Sequence, residues 1–167
     1  MARRKQHGKS QAGRLRIVAG NWRSRLLDIA DVEGLRPTSE RIRETLFNWL
    51  APHLEGAKCL DLFAGTGALG LEALSRGARH ATFVEQSAVA ARQLEKNIGV
   101  VGAAAAATVV QGDALQYLRN ADGPFDIVFL DPPFAADLLG ETCRLLDERK
   151  LLVDGGLVYL ELDRTQD

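Results

Sequence analysis

The first stretch of this 167-residue chain with the residue types to hold a small molecule is Asp61-Leu-Phe-Ala-Gly65-Thr66-Gly67-Ala-Leu-Gly70. Gly65, Gly67 and Gly70 match G-x-G-x-x-G, a pattern that on its own is shared by dinucleotide enzymes. Glycines so spaced let the backbone around Thr66 come close to a ligand and present N–H groups at a helix start. Eighteen residues beyond Gly67 stands Glu85, an acid placed to accept both hydrogen bonds of a ribose diol. NAD and S-adenosylmethionine both fit these residues. Asp61 tips the choice, because a carboxylate four residues before the loop repels a pyrophosphate and attracts an ammonium and a sulfonium. At ~5 Å in a partly wet site that attraction is on the order of 1–3 kcal/mol. A purely structural Asp61, holding the loop by hydrogen bonds, leaves the pyrophosphate problem unsolved.

Two further clusters follow. In Gln111-Gly-Asp113-Ala114, an acid can accept from an adenine amino group while Ala114 offers a backbone N–H. Taken alone, Asp113 is better read as a helix cap; in register with Gly65–Gly67 and Glu85, ligand binding is at least as good a reading. The most specific cluster is Asp131-Pro132-Pro133-Phe134, directly after the apolar run Phe125–Leu130. Two prolines make a stiff turn and leave nearby carbonyls without local N–H partners. Those acceptors suit a group rich in donors, such as an exocyclic amine, and Phe134 can stack on a planar ring. A rigid surface turn explains the prolines without explaining their placement.

The elements that would carry these clusters alternate. Lys58–Phe63, His80–Glu85, Ala107–Gln111, Phe125–Leu130 and Leu157–Glu161 read as strands; helices are expected over 67–76, 87–98, 114–119 and 137–150. Such alternation predicts an α/β, doubly wound, Rossmann-like parallel sheet. If its strand order is 3-2-1-4-5, the ligand crevice opens between strands one and four, at their carboxyl ends. The glycine loop and Asp131-Pro-Pro-Phe134 are then two lips of one crevice. Upstream, Leu15–Ala19 and Trp22–Ile29 read as a small hairpin around Gly20-Asn21. A helix capped by Thr38 or Ser39 runs to Leu50, with Ile42, Leu46, Trp49 and Leu50 on one face and Pro52 ending it. This divides the chain into a disordered basic tail (1–13), a hairpin and helix (14–52) and a ligand-binding core (53–167).

Apolar residues (46%) and charged residues (26%) stand at ordinary globular values, which excludes a chain disordered throughout and a fibrous repeat. No apolar run approaches the ~20 residues of a membrane helix, so the reading is cytoplasmic, with no membrane partner. The net charge of −1 conceals an asymmetry: residues 1–43 hold eleven Lys/Arg against four acids, and 44–167 ten against eighteen. A basic arm on an acidic body points to a polyanion meeting one face. His7, His53 and His80 lack metal spacing, and Cys59 and Cys143 are unpaired, so no metal is expected.

The combination of Asp61-x-x-x-Gly-x-Gly, Glu85, Asp113 and Asp-Pro-Pro-Phe resembles class I S-adenosylmethionine-dependent amino-methyltransferases. Arg16-Ile-Val-Ala-Gly-Asn-Trp22-Arg23-Ser-Arg25, then Gly34-Leu-Arg36-Pro-Thr and Arg43-Glu-Thr-Leu-Phe-Asn48, is similar to the RsmD family of 16S rRNA guanine-N2 methyltransferases. The resemblance runs from about Leu15 to Leu162. It implies methylation of the exocyclic N2 of one guanine in 16S rRNA or a small-subunit particle, with S-adenosylhomocysteine as product and a monomeric enzyme. It also implies that Asp131 and the Pro132 carbonyl align the amine while Phe134 stacks on the base. Asp61, Gly65, Thr66, Gly67, Glu85, Asp113 and Ala114 would hold the cofactor. Arg14, Arg16, Arg23, Arg25 and Arg36 would hold RNA phosphates, with Trp22 a stacking platform or a core residue of the hairpin. Members of that family continue past the fifth strand with a helix and an antiparallel strand pair. Only Asp163–Asp167 follow here, so the strand pair is expected to be missing. An NAD(P)-dependent oxidoreductase, a non-catalytic RNA-binding assembly factor, and a DNA or protein-glutamine methyltransferase are the other readings of these residues.

Overall fold

Four apolar segments of four to six residues, each followed by a helix, and a fifth, longer strand assemble into one parallel sheet. The structure, a computed structural model, describes residues 13–131 and 136–161. A short antiparallel pair, β1 (Arg14–Arg16) and β2 (Leu26–Asp28), precedes helix α1 (Glu40–Leu54). There follow β3 (Lys58–Asp61), α2 (Ala68–Ser75), β4 (His80–Glu85), α3 (Ala88–Val100), β5 (Ala107–Gln111), α4 (Ala114–Asn120), β6 (Phe125–Leu130), α5 (Ala136–Glu148) and β7 (Leu152–Leu160). The five-stranded sheet has the order β5-β4-β3-β6-β7, all neighbours parallel. In core-strand numbering this is the expected 3-2-1-4-5. The order reverses between β3 and β6, whose registers pair Asp61 with Phe129. Asp61 and Asp131 therefore leave adjacent strands at the same edge of the sheet.

The central strands are buried on both faces, as their continuous apolar text requires. Cys59, Leu60, Phe83, Val128, Phe129 and Leu130 are at most 1% exposed. Burial pushes the Cys59 thiol up to about 12, so it is an inert packing group. β7 is irregular: Phe125 pairs with Leu152 and Ile127 with Leu157, so five residues of β7 match two of β6 around Gly155-Gly156. This places Glu161 beside the end of β6, where its N–H donates to the Leu130 carbonyl at 3.0 Å.

The N-terminal part departs from the sequence expectation in two places. Gly20-Asn21 is not a two-residue hairpin turn, because cross-strand bonding ends at Ile17, whose N–H donates to the Arg25 carbonyl and whose carbonyl accepts from Ser24 N–H. The loop between them lies on the end of α2 instead. Asn21 N–H donates to the Ser75 carbonyl (2.8 Å), Trp22 N–H to Ser75 Oγ (3.0 Å), and Ser75 Oγ donates to the Ala19 carbonyl (2.6 Å). A Cβ on Gly20 would fall 2.0 Å from the Ser75 carbonyl oxygen, so only glycine permits this approach. Helix α1 starts where expected, with Ser39 Oγ accepting from Ile42 N–H, but continues past Pro52 to bury Leu54. Its buried face is Arg43, Leu46, Phe47, Leu50 and Leu54; Ile42 and Trp49 are 43% and 77% exposed.

A buried arginine occupies the interior of that face because α2 supplies its counter-charge. Glu72, fully buried, accepts from Arg43 Nη1 (3.3 Å), Arg76 Nε (3.0 Å), Val18 N–H (2.8 Å) and Ala19 N–H (3.1 Å). Arg43 also donates to the Arg16 and Thr38 carbonyls at 2.8 and 3.0 Å. Desolvation lowers the Arg43 pKa while the Glu72 charge opposes the shift. The Glu72 carboxylate thus ties the N-terminal strand, α1 and α2 together, and Leu15, Ile17 and Leu27 join one apolar cluster with Phe47, Leu71 and Phe83.

Candidate functional site

The carboxyl ends of β3, β4, β5, β6 and β7 open on a cleft of about 870 Å³, within the size range of small-molecule sites. Its floor is the turn from β3 into α2. Gly65 and Gly67 hold φ values of +55° and +79°, a region that side chains disfavour. A Cβ on Gly67 would stand 2.4 Å from Leu94 Cδ1, so the loop must pack directly on α3. Gly67 caps α2 with its backbone alone, leaving the helix start aimed into the cleft.

Asp61 is 3% exposed and accepts from Gly70 N–H at 3.1 Å, so it does hold the loop. It also lines the cleft. Burial pushes its carboxyl up to about 7 against the pull of the Gly70 hydrogen bond, and the Asp131 and Glu85 charges add to the rise. Glu85 is fixed by the backbone: Oε1 accepts from Gly65 N–H (3.3 Å) and Oε2 from Ser87 N–H (3.1 Å). Each oxygen keeps a lone pair for a ligand. Asp113 caps α4, accepting from Gln116 N–H at 2.9 Å, and with Ala114 it borders the same cleft. Thr66 lines it too.

Asp131 stands on the opposite lip. Loss of water around its carboxyl raises the pKa to about 6, with Glu161, in hydrogen-bond reach, adding to the shift. Pro132 and Phe134 lie outside the described residues. Sequence reading missed Glu161, which enters the cleft only through the pairing of β7 with β6. It missed equally the wall formed by Val32–Thr38, where Leu35 Cδ1 comes within 3.2 Å of a Cβ position at Gly65. No local motif marks either contribution.

The basic residues divide into two groups. Arg14 and Arg16 point outward from β1, flanking buried Leu15, and pair at 3.8 and 3.3 Å with Asp28 and Glu40, all four exposed. Arg23 is exposed and shares a shallow depression with Arg16; Arg25 donates to the Val100 carbonyl at 3.2 Å. Trp22 is half-buried against the core. Arg36 belongs elsewhere: it lines the cleft, together with Glu33, Asp61, Glu85, Asp113, Asp131 and Glu161. Among the described residues it is the one cation there. His80 Nε2 lies 3.1 Å from Thr108 Oγ1 on the sheet, and no cluster able to hold a metal ion occurs among the described residues. No described helix is long and apolar enough to cross a membrane.

Residues 15–167 match the family described as Conserved hypothetical protein 95. The chain is 49% identical over 157 residues to "Ribosomal RNA small subunit methyltransferase D" of Escherichia coli K12, covering 94% of this chain and 79% of the relative. It is 44% identical over 155 residues to the protein of the same name from Haemophilus influenzae, covering 91% and 80%. The solved structure of the Escherichia coli protein yhhF, named as a methyltransferase, superposes with a TM-score of 0.78 at 50% identity, covering 85% of this chain and 78% of that one.

Proposed function

The chain belongs to the Conserved hypothetical protein 95 family, and from that premise we propose that it methylates the exocyclic N2 of a guanine in small-subunit ribosomal RNA, using S-adenosylmethionine. One observation carries the reading: Asp131 and the Gly65-Thr66 turn line a single cleft, together with Asp61, Glu85 and Asp113. The cleft suits the donor in sign and shape. The carboxylates of Asp61, Glu85 and Asp113 favour a cationic ligand, the glycine loop admits close backbone approach, and Leu35 offers an apolar cover. Asp61 would hold the sulfonium and ammonium end, Glu85 the ribose, and Asp113 with Ala114 the adenine. Arg36 is placed to meet the carboxylate of the methionine portion rather than an RNA phosphate.

S-adenosylmethionine, when bound, supplies a methyl carbon made electrophilic by its sulfonium. The chain's own task is alignment. The guanine amine holds its lone pair in conjugation with the ring. By the family resemblance, Asp131 and the Pro132 carbonyl would each accept one N2–H, turning that lone pair out of the ring plane, and Phe134 would stack on the base. Up to about 7–11 kcal/mol of a barrier is available from such positioning. Asp131 is also at hand to receive the proton that the substituted nitrogen sheds. A base inside a helix cannot reach this depth, so the target is unpaired or flipped out.

The test is label transfer from methyl-labelled S-adenosylmethionine to 16S rRNA, small-subunit particles and DNA side by side, with product nucleosides identified by mass spectrometry. N2-methylguanosine in the RNA is the expected product; label in DNA or protein overturns the reading. Titrating NAD in place of S-adenosylmethionine is expected to give no binding heat.

Two further outcomes are expected. The Asp61 pKa of about 7 lies above the ordinary 3.8, so in the free protein this group holds its proton through mildly acid pH. A cationic donor binds the ionised form, so its affinity weakens as pH falls through about 7, by up to about tenfold per unit, with a proton released on binding. The same shift makes the ligand-free fold lose stability as pH rises from 3.8 toward 7. Calorimetry in buffers of different ionisation enthalpy reads the proton, and Asp61→Asn is expected to abolish it and to weaken binding roughly 10- to 100-fold. For the RNA, Arg14, Arg16, Arg23 and Arg25 together neutralise about four phosphates. Log affinity is then expected to fall against log salt with a slope of about −3 to −4, flattening by about one unit per arginine replaced. A slope near zero would remove the hairpin from the interface.

A further inference from the structure

Glu161 has no role in the mechanism above, yet one of its oxygens is in an unusual state. It follows β7, beside Asp131 at the end of β6, and lines the cleft. Its backbone N–H is used by the Leu130 carbonyl. Its Oε2 is shielded from solvent and has no hydrogen-bond partner among the described residues. A carboxylate oxygen withdrawn from water without a donor is costly, and native structures supply one. The Asp131 carboxyl, its near neighbour, is itself an acceptor when ionised and cannot serve both. A ligand carrying two adjacent donors would satisfy the pair.

The base edges of RNA differ in this respect. The Watson–Crick edge of adenine sets an acceptor, N1, beside its amine, and that of cytosine sets N3 beside its amine. Uracil places one donor between two acceptors. Guanine alone presents N1–H next to N2–H₂, two donors side by side. We propose that Glu161 is the specificity residue on the base side of the cleft: its unpartnered Oε2 accepts the N1–H of the target guanine while Asp131 accepts from N2. The assignment rests on the base-methylation reading and goes beyond it by naming what rejects adenine. An adenine in the same pose turns its N1 lone pair onto the Glu161 carboxylate, leaving both acceptors unsatisfied.

The discriminating substrate is 2-aminopurine, which keeps the exocyclic N2 and replaces N1–H by a bare acceptor. Small-subunit particles are reconstituted from ligated rRNA carrying guanine or 2-aminopurine at the position mapped by label transfer. The wild type is expected to prefer guanine by about 100-fold or more in kcat/KM, since a site built to bond a donor rejects the analogue lacking it. In Glu161→Gln the side-chain amide can donate to N1, so the preference is expected to narrow by about tenfold or more. Calorimetric affinity for S-adenosylmethionine should stay within about twofold, which also shows that the variant is folded. Glu161→Ala is expected to lose activity on guanine with the same retained affinity. An unchanged preference in Glu161→Gln overturns the proposal, as does loss of S-adenosylmethionine binding in both variants, which assigns Glu161 to the structure of the cleft. Failure of the parent reading looks different: the wild type then labels neither base.

Discussion

Asp131→Ala is expected to reduce methyl transfer by about 10²–10⁴-fold while S-adenosylmethionine continues to bind. The two effects separate because Asp131 follows β6, whereas the groups assigned to the donor follow β3, β4 and β5. Removing the carboxylate takes away the acceptor proposed for the target amine and relieves a charge that raises the Asp61 pKa. Donor affinity near neutral pH is therefore expected to hold or change slightly, and the affinity–pH curve to move a little toward acid. Asp131→Asn should recover part of the loss, since an amide oxygen accepts a hydrogen bond without a charge. The wild-type rate should fall as Asp131 gains its proton below about pH 6, and this acid limb should be absent from the residual activity of Asp131→Ala. Single-turnover label transfer across pH, with parallel calorimetry, reads all of these. Undiminished transfer by Asp131→Ala would take the reaction away from this cleft.

The second large effect is on stability. Glu72→Ala removes the acceptor of four donors at once and leaves the Arg43 guanidinium, 1% exposed, without its counter-charge. Breaking a buried pair from one side costs about 3–5 kcal/mol, because the remaining charge stays desolvated. For a domain of this size that corresponds to a fall in Tm of about 6–20 °C. The loss should be local first. Val18 and Ala19 N–H lie in the loop after β1, and the Arg16 carbonyl is held by Arg43, so hydrogen exchange is expected to accelerate over residues 14–29 before it does in β3, β4 or β6. Because Arg14, Arg16 and Arg23 ride on that segment, RNA affinity should drop with it while donor binding is largely retained. Replacing Arg43 and Glu72 together by Met and Leu should recover much of the stability, since an apolar pair of similar volume has no charge left to desolvate. A Tm for Glu72→Ala within 2 °C of wild type would show that the carboxylate is not the tie described.

The glycine-loop side of the cleft was legible in the sequence because its signals are local. A glycine that must adopt positive φ, an acid at a strand end and a capping Asp are consequences of backbone geometry over a few residues. Asp61, Gly65, Thr66, Glu85 and Asp113 border one cleft. The buried face of α1 was not legible. Helical periodicity admits Ile42-Leu46-Trp49-Leu50 as readily as Arg43-Leu46-Phe47-Leu50-Leu54, and hydropathy favours the first. The second is realised because Glu72, twenty-nine residues away, neutralises Arg43, which leaves Trp49 outside. The turn at Gly20-Asn21 misled for a related reason: its backbone groups bond to Ser75 rather than across a hairpin.

By itself, then, the sequence determined the alternation of strand and helix, the parallel order of the sheet and the glycine-lined pocket, since each follows from periodicity and short-range backbone constraint. Only the tertiary structure decided that Glu161 meets Asp131, that Leu35 and Arg36 close the cleft, and that a charged pair anchors the hairpin. Those contacts join residues about thirty positions apart, and their partners were chosen by burial: a carboxylate or guanidinium withdrawn from water goes wherever the fold offers it an opposite charge, a donor or a ligand.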